Sequence, residues 1–327
     1  MTHISNQCFK PKRSAEELIA MMRDKKGVKF QLCCEQDAIS HLQDRNNYLR
    51  TAAYRKNFQK HERGKNIGTY IDLDFAYLIE LSKLDMYLRS ILLKLCIDVE
   101  HALKVWVLRS IDNNSAEDGY SIVSAFSADQ PQVFDGIVRK HRTPYTGDLI
   151  KKYIHIANLN DPTAEYSIDC PAWVLVELLS FKELIQFYTF YCDQYQLHKI
   201  VTPAILQQVR NLRNACAHNN CLLTSLAKGQ TIPGIQVKQF IADLHCVGST
   251  MQSTKLTTRV LYEIACLLYA YTKCVSKDVM QSGLQSLYEF TNSRLMKNRS
   301  YFANNSQLLT SFEFLQKVVD NLAHSTL

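Results

Sequence analysis

Apolar positions between residues 71 and 111 recur at spacings of one, three and four: Tyr77, Leu78, Leu81, Leu84, Leu88, Ile91, Leu92, Leu95, Val99, Ala102, Leu103 and Trp106. That spacing is one face of a helix many turns long, and such a stripe is core packing. Ahead of it, Ser14-Ala15-Glu16-Glu17 reads as a capping box and Gly27 as the stop of a first helix. Short helices are expected over 35–43 and 47–58, with a loop over 61–69 that holds Gly64 and Gly68. The stretch 112–131 is polar and irregular, and is expected to be an internal boundary or a mobile insertion. Helices follow over 132–142 and 146–158. The next opens at Pro171, expected at the first helical position, and runs unbroken toward Tyr191. Thr202 as cap and Pro203 inside open a helix that reaches Asn219. Beyond a loop at 228–234, helices are expected over 237–246, 254–274, 280–296 and 306–323. The pattern shows no internal repeat and no sheet. It predicts an all-α fold in three stretches: a basic N-terminal region 1–65, a core 66–225, and a C-terminal region 226–327 packing on that core.

Composition agrees with helix, since only 10 Gly and 7 Pro interrupt 327 residues. With 46% hydrophobic residues the chain can bury a large core. No run of 18 apolar residues and no apolar leader with a small-residue cleavage site occurs, so neither a membrane span nor a secretory signal is expected. The eleven cysteines are scattered without a CxxC pair, which suits a reducing cytoplasm and small apolar side chains. Cys216-x-His218-x-x-Cys221 lacks a second ligand cluster, so no metal and no cofactor is expected.

Charge adds a partner. Residues 1–65 hold 14 Lys and Arg against 7 acidic residues, which leaves 24 of the 38 basic and 24 of the 31 acidic residues for the remainder. The whole positive excess therefore lies in the first fifth of the chain, among Phe30, Tyr48, Tyr54 and Phe58. Such a region suits RNA phosphate contact, with Lys10, Lys12, Arg13, Lys25, Lys26, Lys29, Arg50, Arg55 and Lys56, joined by Arg210 further along the chain, as the expected contacts. The aromatics there are expected in the core.

The segment with catalytic chemistry is Arg210-Asn211-Leu212-Arg213-Asn214-Ala215-Cys216-Ala217-His218. At 100° per residue, Arg210, Asn214 and His218 fall within an arc of about 80°, and Arg213 lies about 60° to the other side of Arg210. All four are expected to address one side of the helix. Histidine can exchange protons with a ribose 2′-hydroxyl or a leaving 5′-oxygen. Arginine can hold the phosphate and stabilise its transition-state charge. Acid and base together need two such groups, which a symmetric homodimer would supply. With 15 Arg and 10 His in the chain, chance alone gives about half an Arg-x4-His occurrence, so the bare pattern is weak.

Its surroundings strengthen it. Leu-Arg-Asn-Ala-Cys-Ala-His (212–218) resembles the signature of the AbiD/AbiF (Abi_2) abortive-infection proteins of the HEPN superfamily. Three more stretches are similar to that family, in order. They are Lys10-Pro11 with the capped helix to Gly27, the run Leu78–Arg89 continuing to Val99–Lys104, and Pro171–Phe181 with its Trp-x3-Glu-x-x-Ser-Phe pattern. The resemblance implies a HEPN-type helical bundle with additional N- and C-terminal helices, a metal-independent endoribonuclease or toxin, and a role in phage defence. It makes Arg213 and His218 the catalytic pair with Asn214 in support, and small structured RNAs the partners of some relatives. Two positions depart from it: Asn219 stands where a second His often follows, and Lys182 where Gly follows Ser-Phe. Glu100 or Glu177 could orient Arg213, and Trp173 is expected in the core. The expected function is thus an RNA-cleaving abortive-infection protein. Its rival is a non-catalytic structured-RNA-binding protein that uses the same surface to hold phosphate.

Overall fold

The computed structural model describes residues 11–161 and 165–325. Cys8 and Lys10 lie outside them. The chain is all-α, with helices α1 (Ala15–Lys26), α2 (Glu35–Ser40), α3 (Tyr48–Ala53), α4 (Phe75–Asp112), α5 (Ser121–Asp129), α6 (Pro131–Val138) and α7 (Gly147–Tyr153) in its first half. A small hairpin of β1 (Ile154–Ile156) and β2 (Tyr166–Ile168) separates these from α8 (Ala172–Leu178), α9 (Phe181–Gln194) and α10 (Pro203–Ala217). The chain then continues as α11 (Ile235–Asp243), α12 (Ser249–Lys255), α13 (Arg259–Cys274), α14 (Lys277–Glu289) and α15 (Ser306–Ser325).

The spine is α4. Its 38 residues span about 57 Å at 1.5 Å per residue. Leu78, Leu81, Leu84, Leu88, Leu92, Leu95, Val99, Leu103, Val107 and Ile111 form its buried stripe. Helices α10 and α13 pack on it and on each other. Helix α13 is apolar nearly all round, with Val260 through Leu268 buried, as its central place requires. One continuous apolar core takes residues from all three stretches of the chain, from Ile19 to Leu322. Among the described residues no helix is long and apolar enough to cross a membrane.

The first helix forms as its sequence demands. Ser14 N–H donates to Glu17 Oε2 at 2.8 Å, Glu17 N–H donates to Ser14 Oγ at 3.2 Å, and Gly27 closes the helix at φ +65°. Five expectations need correction. The polar stretch 112–131 contains α5, which buries Ile122, Val123 and Phe126. Its polar residues are helix-start caps: Asp118 accepts from the amides of Tyr120 and Ser121, and Glu117 from those of Gly119 and Ile122. A sheet does exist, an antiparallel pair in the register Ile154↔Ile168, His155↔Ser167, Ile156↔Tyr166. Three-residue strands are too short for a period of two to stand out. The helix expected from Pro171 to Tyr191 breaks at Leu179 and Ser180, where Ser180 is extended (ψ 163°) and its N–H donates to Glu183 Oε2 at 2.7 Å. Pro171 itself caps α8 instead of entering it. Trp173 is 48% exposed, edge-on to Tyr120 and against Gly119. The other expected aromatics are packed: Phe30 stacks on Phe75, Phe58 on Tyr77, and Tyr54 is buried.

Candidate functional site

Helix α10 presents its apolar side, Ile205, Leu206, Val209, Leu212 and Cys216, to the core. Burial pushes the Cys216 thiol up to about 12, so it is an inert packing group. Thr202 precedes the helix, yet its hydroxyl donates to Gln236 Oε1 at 3.1 Å and caps nothing. Pro203 takes the first turn as expected. The helix ends one residue before His218, which stands at the C-cap (φ −86°, ψ 11°). Asn219 follows with φ +55°, the left-handed region that suits Gly and Asn best. That gives a local reason for Asn at this position.

Arg213 leans inward to α4. Its Nε lies 3.7 Å from Glu100 Oε2 and is buried without a hydrogen bond, while Nη1 donates to Asn214 Oδ1 at 3.3 Å. Burial raises the Glu100 carboxyl above its ordinary value, against the opposing pull of Arg213 and Lys104. Glu177 is engaged elsewhere: Lys104 Nζ donates to it at 3.0 Å. Of the two glutamates considered, it is Glu100 that faces Arg213. Arg210 is held on its own helix, donating from Nη1 to Gln207 Oε1 at 2.8 Å.

His218 is exposed, and among the described residues its ring makes no hydrogen bond. Arg213 and Asn214 are thus brought together, while Arg210 and His218 are not joined to them. Five residues along a helix amount to about 140° of rotation, which turns the Arg213 side chain to α4 and leaves His218 to solvent.

The chain after His218 is clamped by residues that the sequence pattern had not marked. Asp85, fully buried on α4, accepts from the amides of Leu222 and Leu223 at 2.8 Å each and from Tyr54 Oη at 2.9 Å. Arg89 pairs with the same carboxylate and also reaches Asn220 O at 3.4 Å. Burial pushes Asp85 up while Arg89, the two amides and Tyr54 pull it down. Asn57 adds a second tie, donating to Leu223 O at 2.7 Å and accepting from Leu226 N at 2.9 Å. A signal was present: Asp85 and Arg89 sit four apart on the apolar stripe of α4, and a charge at a core position requires partners.

The expected basic contacts are spread over the N-terminal helices. Lys12, Arg13, Lys25, Lys29 and Lys56 are exposed; Lys26, Arg50 and Arg55 are half-buried. Three are engaged within the fold, Arg13 through Nη1, which donates to Met21 Sδ at 2.8 Å. Lys29 pairs with Asp72 at 2.7 Å, and the Arg55 guanidinium lies 5.5 Å from the Tyr48 ring and 5.9 Å from the Tyr70 ring.

A sequence model of the Abi-like protein family matches residues 41–224, more than half of the chain. The chain belongs to that family. It is therefore an abortive-infection protein. The matched span of this Abi-like protein takes in α4, the Pro171–Phe181 segment and the Arg213–His218 segment, and begins after the capped first helix. No match was found among curated proteins, and none among solved structures.

Proposed function

We propose that this Abi-like protein is a metal-independent endoribonuclease of the HEPN type, acting as a homodimer in phage defence, with Arg213 and His218 as its catalytic pair and Asn214 in support. The observation that carries the reading is the end of α10. Among the described residues His218 stands exposed and unpartnered at the helix terminus, and Arg213 sits five residues earlier, about 140° round the helix, beside Asn214 and Glu100. In the reaction a histidine takes the proton of a ribose 2′-hydroxyl, and that oxygen attacks phosphorus. The P–O5′ bond breaks, and the leaving oxygen receives a proton from a second acid. Arginine balances the charge that develops on the phosphate oxygens. A second copy would bring the second His218, and the exposure of that ring leaves it free to face one. The exposed N-terminal cations Lys12, Arg13, Lys25 and Lys56 would add phosphate contacts.

RNA incubated with the protein in EDTA should be cleaved to a 2′,3′-cyclic phosphate, and His218→Ala should remove that cleavage. Unchanged cleavage by pure His218→Ala protein would sink the reading. A second reading has one observation behind it: Arg213 turns toward Glu100, away from His218. That favours a structured-RNA-binding protein in which both side chains only hold phosphate. Salt-sensitive RNA binding without turnover would select it.

A further inference from the structure

A second concentration of positive charge lies in the middle of the chain. From Arg139 to His155 there are five Lys and Arg against one Asp. The segment wraps from the end of α6 through a tight turn into α7 and then β1. The turn closes only because residue 147 is glycine: a Cβ there would come within 2.5 Å of His141 O. Tyr166 Oη of β2 donates to Asp135 Oδ1 at 2.8 Å and ties the hairpin to α6. Between turn and hairpin lies a cleft of about 250 Å³, lined by Arg139, His141, Arg142, Asn158, Asn160 and Asp161, among others.

Arg139 and Lys140 are the unspent cations of this segment among the described residues, and Lys152 Nζ lies 5.0 Å from the centre of the Tyr153 ring. Lys151 reaches Asp148 at 3.7 Å, but among the described residues no carboxylate pairs with Arg139, Lys140, Arg142 or Lys152. Arg142 is fixed in orientation. Its Nη2 donates to Asn160 Oδ1 at 2.9 Å and Leu159 O at 3.3 Å, and its Nε donates to His141 Nε2 at 3.2 Å. His141 can accept there because its Nδ1 side is taken by Val138 O at 2.9 Å. In the same segment Tyr145 stands 95% exposed, directly after Pro144. A phenol ring so exposed contributes no core, and its faces are open to solvent.

We propose that this cleft and its rim bind single-stranded RNA. Arg139, Lys140 and Lys152 take the phosphates, Tyr145 stacks on an unpaired base, and the side-chain NH2 groups of Asn158 and Asn160, whose oxygens already accept from the Asn160 amide and Arg142, donate to base edges. The choice of RNA over DNA rests on the ribonuclease reading above; the site itself does not. An acidic membrane surface would use the cations but has no need of a cleft with two amides or of an isolated tyrosine.

The test is fluorescence anisotropy with a labelled single-stranded oligoribonucleotide and the full chain carrying His218→Ala, so that no strand is cut. Affinity should fall with salt. The Arg139→Gln/Lys140→Gln/Lys152→Gln variant should bind at least tenfold more weakly, with a log–log salt slope shallower by about two, from roughly 0.7 per phosphate contact. Tyr145→Ala should lose roughly five- to a hundredfold and Tyr145→Phe almost nothing, since stacking needs the ring and not the hydroxyl. Arg139, Tyr145 and Lys152 are exposed and Lys140 is half-buried, so unchanged melting curves verify the fold. Equal affinity for a DNA strand of the same sequence would keep the site and mean that it reads bases and phosphates without the 2′-hydroxyl. Parental affinity in both the triple variant and Tyr145→Ala overturns the proposal, as does binding to phosphatidylserine vesicles with none to RNA. Failure of the ribonuclease reading is seen separately, as cleavage that persists in His218→Ala.

Discussion

Asp85 is the residue on which the geometry after His218 most depends. It is a carboxylate without solvent exposure that satisfies two backbone amides, a tyrosine hydroxyl and an arginine at once. Removing one member of such a buried set leaves the others desolvated and unpaired, which costs about 3–5 kcal/mol. Asp85→Ala should lower stability by that amount in denaturant melts, and hydrogen exchange at the Leu222 and Leu223 amides should rise even where the fold survives. Glu100 carries a prediction of opposite character. Burial raises its carboxyl above the ordinary 4.5, so the folded state holds the proton more tightly than the unfolded chain. Its stabilising contribution is full below 4.5 and is lost as pH rises through the raised folded value. Glu100→Gln should therefore remove that loss and flatten the stability profile between mildly acid and neutral pH. A profile as steep as the parent's would contradict the assignment. His41 has the reverse sign. Burial, with Arg45 and Lys83 nearby, lowers it from 6.5, so its contribution is present above 6.5 and fades as pH falls through the lowered value.

At the scale of elements, α4 explains why the middle of the chain is a scaffold for α10. Its apolar stripe packs on α10 and α13, and also on α3, α8, α9 and α14. The opposite face bears Met86, Ile97 and Val105, all about half exposed. Leu92→Ala on the buried stripe should cost about 2–5 kcal/mol in thermal or denaturant unfolding. Ile97→Ala, five residues on, should stay within about 0.5 kcal/mol. Equal losses at the two positions would mean that the exposed face is covered by something in solution. The helix stripe and the capped α1 were readable because they depend on local spacing alone. The break at Leu179–Ser180 was not, because Val174–Leu179 and Phe181–Leu184 together look continuous in hydrophobicity. What separates them is one reciprocal cap between Ser180 and Glu183, a pattern that fits equally well inside a longer helix.

For the whole molecule, the proposed chemistry has a consequence for assembly. One protomer offers a single exposed His218 at the end of α10, and acid–base cleavage needs two proton-transferring groups. If a second copy supplies the partner, cleavage per protomer should fall on dilution through the dimer dissociation range. Sedimentation and activity measured over the same concentrations check this, and a constant specific activity across complete dissociation would exclude the shared site.

The distribution of charge looked simple in sequence, with the excess confined to residues 1–65. In three dimensions part of that excess is spent internally, Lys29 on Asp72 and Arg55 on two tyrosine rings. Meanwhile Arg139–Lys152 concentrates positive charge within a stretch whose net charge averages away. By itself the sequence determined the all-α class, the long amphipathic spine, the first helix and its caps, and membership of the Abi-like family through ordered local motifs. These follow from residue spacing, which a chain carries without folding. Only the tertiary structure decided that Glu100 and not Glu177 meets Arg213, that Arg213 and His218 diverge, and that Asp85 holds the segment behind them. Those are meetings of residues more than a hundred positions apart or of side chains on different faces of one helix. No local periodicity encodes such distances; packing does.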